Sequence, residues 1–383
     1  MRAFLLVLLA ALAGCRPEAP TSGPAAEPSA GAAAVASAPV VAAARAFLAT
    51  LGASERAAVQ ADLTLDEADD WSNLPGDFVE RNGVALGDLT EPQREAALDV
   101  ARAALSDAGF ATFEALRAAD ATLAAQPRTG PGDAPRPPGE RADNAAPPPG
   151  RPPGGRPPGG GPGGLSYGAD LYWIAFLGEP SATGPWMLQL GGHHYALNVA
   201  YRGSTVAPTP NFVGVEPLTF TLGGEAYAPM AHRAGAATAV LDALSADQRA
   251  EAQLSGSFND VLLGPGADFE FPAHEGLAVA DLDAAQRAAV ARTIGAWVEH
   301  VDAPVAEALL AAYTSRAALD QTYLGYVGTG DLTSRGDYVR IDGPRVWIEV
   351  AAQGGVVLRD QVHYHSVWRD KALDYGGLFS RPD

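Results

Sequence analysis

The sequence predicts an α+β fold in which an antiparallel sheet of about six strands packs against Ala-rich amphipathic helices. Three observations carry this expectation. Helical and strand-like patterns fall in separate blocks rather than alternating as βαβ units. Three segments repeat one helix-start signature, and two regions, 171–201 and 338–370, read as short strands separated by Gly-rich turns. A chain of 383 residues that is 47% hydrophobic can bury a substantial core. Its formal net charge of -19, without a Lys/Arg cluster in any folded segment, argues against nucleic acid as a partner.

The chain opens with Arg2, an apolar run Ala3 to Leu12 too short to span a bilayer, and then Leu12-Ala13-Gly14-Cys15. This pattern is similar to a bacterial lipoprotein signal, so residues 1–15 are expected to be a signal peptide whose Cys15 is lipidated and anchors the protein to a membrane of the cell envelope. Arg16 follows the cysteine, which points to the outer membrane or cell surface. Cys15 is the only cysteine, so no intramolecular disulfide and no thiol chemistry are expected. Residues 16–39, rich in Ala, Pro, Ser and Gly, read as a disordered tether.

Residues 40–383 read as one α+β domain. Val40 to Leu63 has helical spacing in Phe47, Leu48, Leu51, Val59 and Leu63. Trp71 to Pro75 breaks it, and Arg81-Asn82-Gly83 reads as a turn. Thr90, Ser245 and Asp283 each precede a glutamine by three residues (Gln93, Gln248, Gln286), which is capping-box spacing and predicts three helix starts. Between 127 and 164, 24 of 38 residues are Pro or Gly without a strict Gly-X-Y period, so a disordered insertion is expected and a collagen helix is not.

Leu171 to Leu177, Trp186 to Leu190 and His193 to Tyr201 read as strands, with Gly191-Gly192 as a hairpin turn. Alternation then puts His194 with Ala196 and Asn198 on the more polar face. Pro208 to Pro217 is too proline-rich for a central strand and reads as an ordered loop that leads towards the second and third capped helices. Asp268, His274 and Glu275 are loop residues able to extend a polar site. Tyr338 to Ile341, Arg345 to Ala351 and the segment ending at Trp368 form a meander. If Gly354-Gly355 is its two-residue turn, His363 pairs with Val346 and Glu349 points to the opposite face.

Four of the seven histidines lie in two of these strand patterns, His193-His194 and His363-Tyr364-His365. Two histidines two apart on a strand, joined by a third from a neighbouring strand, can converge on one ion. The expected metal site is therefore His194, His363 and His365, completed by Glu349, Asp370 or His193, with Zn or Cu as the cofactor. A metal-free alternative uses a histidine as general base and Arg369 to hold an anionic substrate group, and a third reading has the histidines satisfy hydrogen bonds within the sheet. In an enzyme the catalytic set would be His194, His363, His365 and Arg369. No Gly-x-Ser-x-Gly elbow, phosphate loop or dinucleotide fingerprint occurs. Two classes remain: a membrane-anchored, metal-dependent enzyme of hydrolytic or oxidative type, and a non-catalytic envelope module that binds a metal or small-molecule ligand.

From about Trp71 onward the chain resembles a bacterial family known as domain of unknown function 3500. The resemblance is carried by Trp71 to Pro75 with Arg81-Asn82-Gly83, Tyr172 to Gly178 with Pro180-Ser181, and Pro185-Trp186 with Gln189. It continues in Gly192-His193-His194, Thr209-Pro210 with Phe212, Gly214 and Glu216-Pro217, and Gly276-Leu277. Glu349 with Gln353, His363 to Ser366, Arg369-Asp370 and Asp374-Tyr375-Gly376 complete it. It implies the fold boundaries, with the Pro/Gly segment as an insertion, and implies no mechanism.

Overall fold

The computed structural model describes residues 30–76, 78–126 and 166–379. The expected signal peptide with Cys15, the expected tether up to residue 29 and the Pro/Gly-rich insertion lie outside the described residues. The last ten residues expected in the tether are not extended: helix α1 spans Ala30–Thr50 and contains Pro39. Helix α2 (Ala53–Val59) and the short α3 (Leu65–Asp69) follow, so the predicted helix through Leu63 is broken after Thr50. The three predicted helix starts are present. Capping boxes close α4 (Glu91–Ala104) through Thr90 and Gln93, α7 (Ala246–Ala252) through Ser245 and Gln248, and α8 (Ala284–Val298) through Asp283 and Gln286. The last two caps also touch, Gln286 Nε2 donating to Gln248 Oε1 at 2.8 Å. The remaining helices are α5 (Asp107–Ala124), α6 (Ala231–Asp242), α9 (Ala303–Thr314) and α10 (Arg316–Leu319).

The sheet is twice the expected size. Twelve strands join in it, β1 (Gln60–Ala61), β2 (Val84–Ala85), β3 (Tyr172–Leu177), β4 (Trp186–Gly192), β5 (Tyr195–Arg202), β6 (Thr205–Ala207), β7 (Asn211–Val215), β10 (Leu277–Ala278), β11 (Tyr323–Val327), β12 (Tyr338–Asp342), β13 (Val346–Gly354) and β14 (Val362–Asp370). A separate hairpin pairs β8 (Phe220–Leu222) with β9 (Glu225–Tyr227). The sheet is mixed, because β1 runs parallel to β3 while every other pairing is antiparallel. Its main path is β1-β3-β4-β5-β7-β14-β13-β12-β11-β10. The expectation of about six strands missed the two-residue strands, β6, β11 and β7. That strand lies inside the proline-bounded stretch taken for a loop, with prolines 210 and 217 just outside it.

Strand alternation gives the sheet two unlike faces. One carries Ile174, Leu188, Leu197, Val213, Ile348 and Trp368 against the helices. The other carries Ala196, Phe212, Trp347 and Val367, and loops with the short α3 cover it instead: Trp71 and the α3 residue Ala68 from one side, Leu254, Val261 and Leu263 from the other.

The helix face is tied to the β4–β5 hairpin through a buried histidine. Ser106 N donates to the His300 carbonyl at 3.2 Å, and Gly109 allows this approach, since a Cβ there would stand 1.8 Å from the same oxygen. The His300 ring meets Tyr195 Oη at 3.0 Å. Burial, and then the charge of Arg233, hold this imidazole well below its ordinary range. An unfolded histidine takes a proton near 6.5 and the folded one does not, so this contribution to stability is complete above that pH and is lost as pH falls. His300→Gln, which keeps a polar partner for Tyr195, is expected to flatten the decline of Tm between pH 6.5 and about 4.5. A pH–Tm series with the same slope in both proteins would contradict this.

Candidate metal centre

The first part of the site is a tight turn. Strand β4 continues through Gly191 and Gly192, and the turn residues are His193 and His194, with Gly192 paired to Tyr195. The Gly-Gly pair is not the turn; Gly192 serves packing, since a Cβ on it would lie 2.4 Å from the Tyr172 ring. His194 adopts φ 61°, in the left-handed region that His enters more readily than most residues. Both its backbone groups are used, its N–H donating to Asn73 O at 2.9 Å and its carbonyl accepting from Gly214 N at 2.7 Å.

The second part comes from β14. Strand β13 runs to Gly354, and the connection to Val362 is seven residues long, so the two-residue turn at Gly354-Gly355 does not form. His363 therefore pairs with Gln353 and His365 with Ala351, while Val346 pairs with Asp370. Glu349, opposite Val367, shares the face of the two histidines rather than facing away. Glu216 holds the long connection by accepting from the amides of Val356 (3.2 Å), Val357 (2.9 Å) and Leu358 (2.7 Å).

His194, His363 and His365 meet on the loop-covered face. Each offers one ring nitrogen, and these three atoms lie within 4.8 Å of one another. Nε2 of His363 and Nε2 of His365 are 3.2 Å apart. All three residues are buried, at 4%, 1% and 6% exposure. A tetrahedral ion with Zn–N bonds of about 2.0–2.1 Å has its ligand nitrogens roughly 3.4 Å apart. The strand pair already stands near that spacing, and His194 closes with a shift on the order of 1 Å. Gly214 creates the room: a Cβ there would approach Tyr364 O at 2.6 Å, His194 Cδ2 at 3.0 Å and His365 Cδ2 at 3.1 Å.

Electrostatics favour neutral rings at His194 and His363, the form that ligates. Burial first, and then His193, His365 and His363, push His194 well below its ordinary pKa. His363 is pushed down to about 3 by burial, then by His365 and His193. Its Nδ1 lacks a hydrogen bond of good geometry. His365 is different, since its Nδ1 lies 2.8 Å from Asp260 Oδ1 and 2.9 Å from Gln353 Nε2. Burial pushes the Asp260 carboxyl up, but the His365 hydrogen bond and charge together bring it below its usual value. In the tautomer that gives Nδ1–H to Asp260, His365 presents its Nε2 lone pair to the other two rings.

The other expected site residues lie elsewhere or are committed. His193 stacks on His194 at 3.8 Å but binds Asp120 Oδ1 through Nδ1 at 2.7 Å. Glu349 spends its oxygens on the amides of Leu262 (2.5 Å) and Leu263 (2.9 Å), Trp347 Nε1 (2.6 Å) and Tyr338 Oη (2.8 Å). Asp370 alternates to the helix face, bound by Tyr313 Oη at 2.7 Å and Arg345 Nη2 at 2.5 Å. Arg369 is fully buried and pairs with Asp268 (2.6 Å) and Asp374 (3.2 Å), so it is not open to an anionic substrate. Asp268, His274 and Glu275 fasten the covering loop to Arg369, Asp342 and Arg340. The sequence reading missed Asp260, Asn73 and Asp120; no periodicity brings them to the histidines, and only the folded path of two loops and the end of α5 does.

A family described as "Protein of unknown function (DUF3500)" matches residues 33–377. No curated protein and no solved structure matches the chain.

Gly214→Ala is expected to destabilise the protein by about 1–3 kcal/mol, the usual range for overpacking, and to push His194 and His365 apart. Chemical denaturation checks the first effect and the imidazole NMR resonances the second. An alanine variant with wild-type stability and unchanged resonances would contradict the packing described.

Proposed function

The chain belongs to the DUF3500 family of proteins of unknown function, and we propose that in it His194, His363 and His365 hold one Zn or Cu ion for a hydrolytic or oxidative reaction in the cell envelope. The observation that carries this is the convergence of three buried ring nitrogens within 4.8 Å. The Asp260–His365 contact supports it, because a carboxylate on the distal nitrogen is the usual outer partner of a metal-ligating histidine. Three imidazoles leave a four-coordinate ion one open position, as catalytic sites require. When bound, the ion supplies Lewis acidity. Beside it, His193 is oriented by Asp120 and stacked on His194, which makes it the side chain placed to accept a proton at the edge of the centre.

The alternative, a module that holds the ion or a small ligand without turnover, is favoured by one observation. None of the three ligands is more than 6% exposed. Elemental analysis of untagged protein purified without chelator is expected to find about one Zn or Cu per chain, and a His363→Ala, His365→Ala variant to lose it. Asp260→Asn is expected to weaken the metal affinity about 10–100-fold. Equal metal content in wild type and the double variant sinks the metal reading. Activity profiling with and without chelator then separates turnover from binding.

We also propose that Cys15 is acylated and tethers the protein to the membrane surface. The support is Leu12-Ala13-Gly14-Cys15 behind a short apolar run. Cys15→Ser is expected to abolish labelling by radioactive palmitate and to move the protein to the soluble fraction. A membrane-bound, unlabelled serine variant would overturn the anchor.

A further inference from the structure

Arg81 carries an unpaired charge beside the histidine turn. Its Nη2 donates to the carbonyls of Ser72 (2.9 Å), Leu74 and Gly192 (3.3 Å). Nε and Nη1 are buried without any hydrogen-bond partner. Asp120 and Asp70 influence its charge from a distance, but among the described residues it forms no ion pair. This is unlike Arg345 and Arg369, each of which meets carboxylates directly. In a chain of net charge -19 the missing partner is not for want of acids. A buried N–H left unpaired costs about 1–3 kcal/mol, and more when it is charged, so a guanidinium held this way is incomplete without a ligand.

The same guanidinium lines a narrow, half-open pocket with Asp70, Trp71, Asn82 and Trp173. It lies 5.1 Å from the Trp173 ring centre. Carboxamides form the pocket's floor: Asn82 Nδ2 donates to Gln189 Oε1 at 3.0 Å, and Gln189 Nε2 to Asn198 Oδ1 at 3.0 Å. The histidines do not line the pocket, but two hydrogen-bonded links join it to the turn that carries His194. Arg81 holds the carbonyl of Ser72, and the next residue, Asn73, accepts the N–H of His194. Arg81 also holds the carbonyl of Gly192, which immediately precedes the His193–His194 turn.

We propose that the Arg81 pocket is the subsite for a carboxylate group on a small-molecule ligand whose other end reaches the His194–His363–His365 centre. A single guanidinium matches one negative charge. Asp70 in the pocket wall opposes a second, which favours a carboxylate over a phosphate dianion. The inference rests on the metal reading only for the ligand's far end. Arg81 itself is therefore tested on the metal-free full chain.

The probes are acetate, its uncharged isostere acetamide and inorganic phosphate at constant ionic strength, read by the indole N–H resonances of Trp71 and Trp173. Acetate is expected to shift both resonances saturably, acetamide at least about ten-fold more weakly, and Arg81→Gln to weaken the acetate response at least about ten-fold. Absence of a response in wild type, equal responses to acetate and acetamide, a response that survives Arg81→Gln, or tighter binding of phosphate than acetate would each overturn the assignment. If the variant fails to fold, the acetate–acetamide comparison in wild type decides. An intact acetate response in a His363→Ala, His365→Ala variant that takes up as much zinc as wild type would refute the metal centre and leave the subsite standing. A zinc-binding protein blind to acetate would refute the subsite alone.

Discussion

One residue, Leu263, clamped between the buried side chains of Glu349 and Arg369 organises the loop-covered face. Glu349 accepts the amides of Leu262 and Leu263, while Arg369 donates from Nε to the carbonyl of Leu263 at 2.8 Å and from Nη2 to that of Gly264 at 3.0 Å. Both side chains are fully buried. Residues 253–276 contain neither helix nor strand, so their peptide groups need partners from outside the segment. Charged side chains on β13 and β14 supply them, and in return the loop satisfies charges that would otherwise be untenable in the interior. The position of Asp260 follows, because it lies two residues before the clamp and is delivered to His365. The centre's carboxylate is thus placed by the same interaction that holds the loop down.

What could be read along the sequence was whatever depends on neighbours within about four residues. The three capping boxes and the long strands fall in that class, as does the alternation that puts His363 and His365 on one side. What failed depended on space. Gly191-Gly192 has the composition of a turn, but Gly192 is glycine because the Tyr172 ring occupies the place of its Cβ, and the turn passes to two histidines. Gly354-Gly355 failed for a different reason. A carboxylate 140 residues upstream, Glu216, stabilises a longer connection by capping consecutive amides, and the register moves with it. That shift brings Glu349 to the histidine face and leaves Asp370 on the helix face. Arg369 keeps the histidine face by parity, and what removed it from the anionic-substrate role was its ion pairs with Asp268 and Asp374.

The two faces divide the work. The helix face is mostly apolar, and its polar groups are short ties such as Trp297 Nε1 to Ser366 Oγ at 2.6 Å and Tyr195 to His300. The other face holds the histidines, the clamp and the carboxamide series from Asn82 to Asn198. Because both derive from alternate residues of the same strands, each scaffold residue fixes a neighbour on the site side. Tyr195 is held by His300 while His194 faces the centre, and Tyr364 donates to Leu332 O at 3.0 Å while the residues flanking it are the two histidines. Rigid strands thereby set the spacing of His363 and His365, whereas His194, on a turn, keeps the freedom to close on an ion.

Two arginines that form no ion pair among the described residues, Arg233 buried and Arg81 partly buried, make it possible to separate structure from function. Arg233, on α6 and facing α8, is 5% exposed, gives Nε to Ala296 O at 3.2 Å, and rests against Trp297 at 5.8 Å. Its charge is enclosed by helices and an indole, and it lowers the proton affinity of His300, which accounts for it as part of the core. Arg81 is as poor in partners, but it opens onto a pocket, and its bonded carbonyls belong to the backbone that carries His194. Removing its positive charge would relieve desolvation while leaving the three carbonyls without their donor, so the fold needs the hydrogen bonds and not the full cation. A neutral donor could serve that structural end. The proposed carboxylate subsite would use the charge that remains over, beside the Trp173 ring that already faces it.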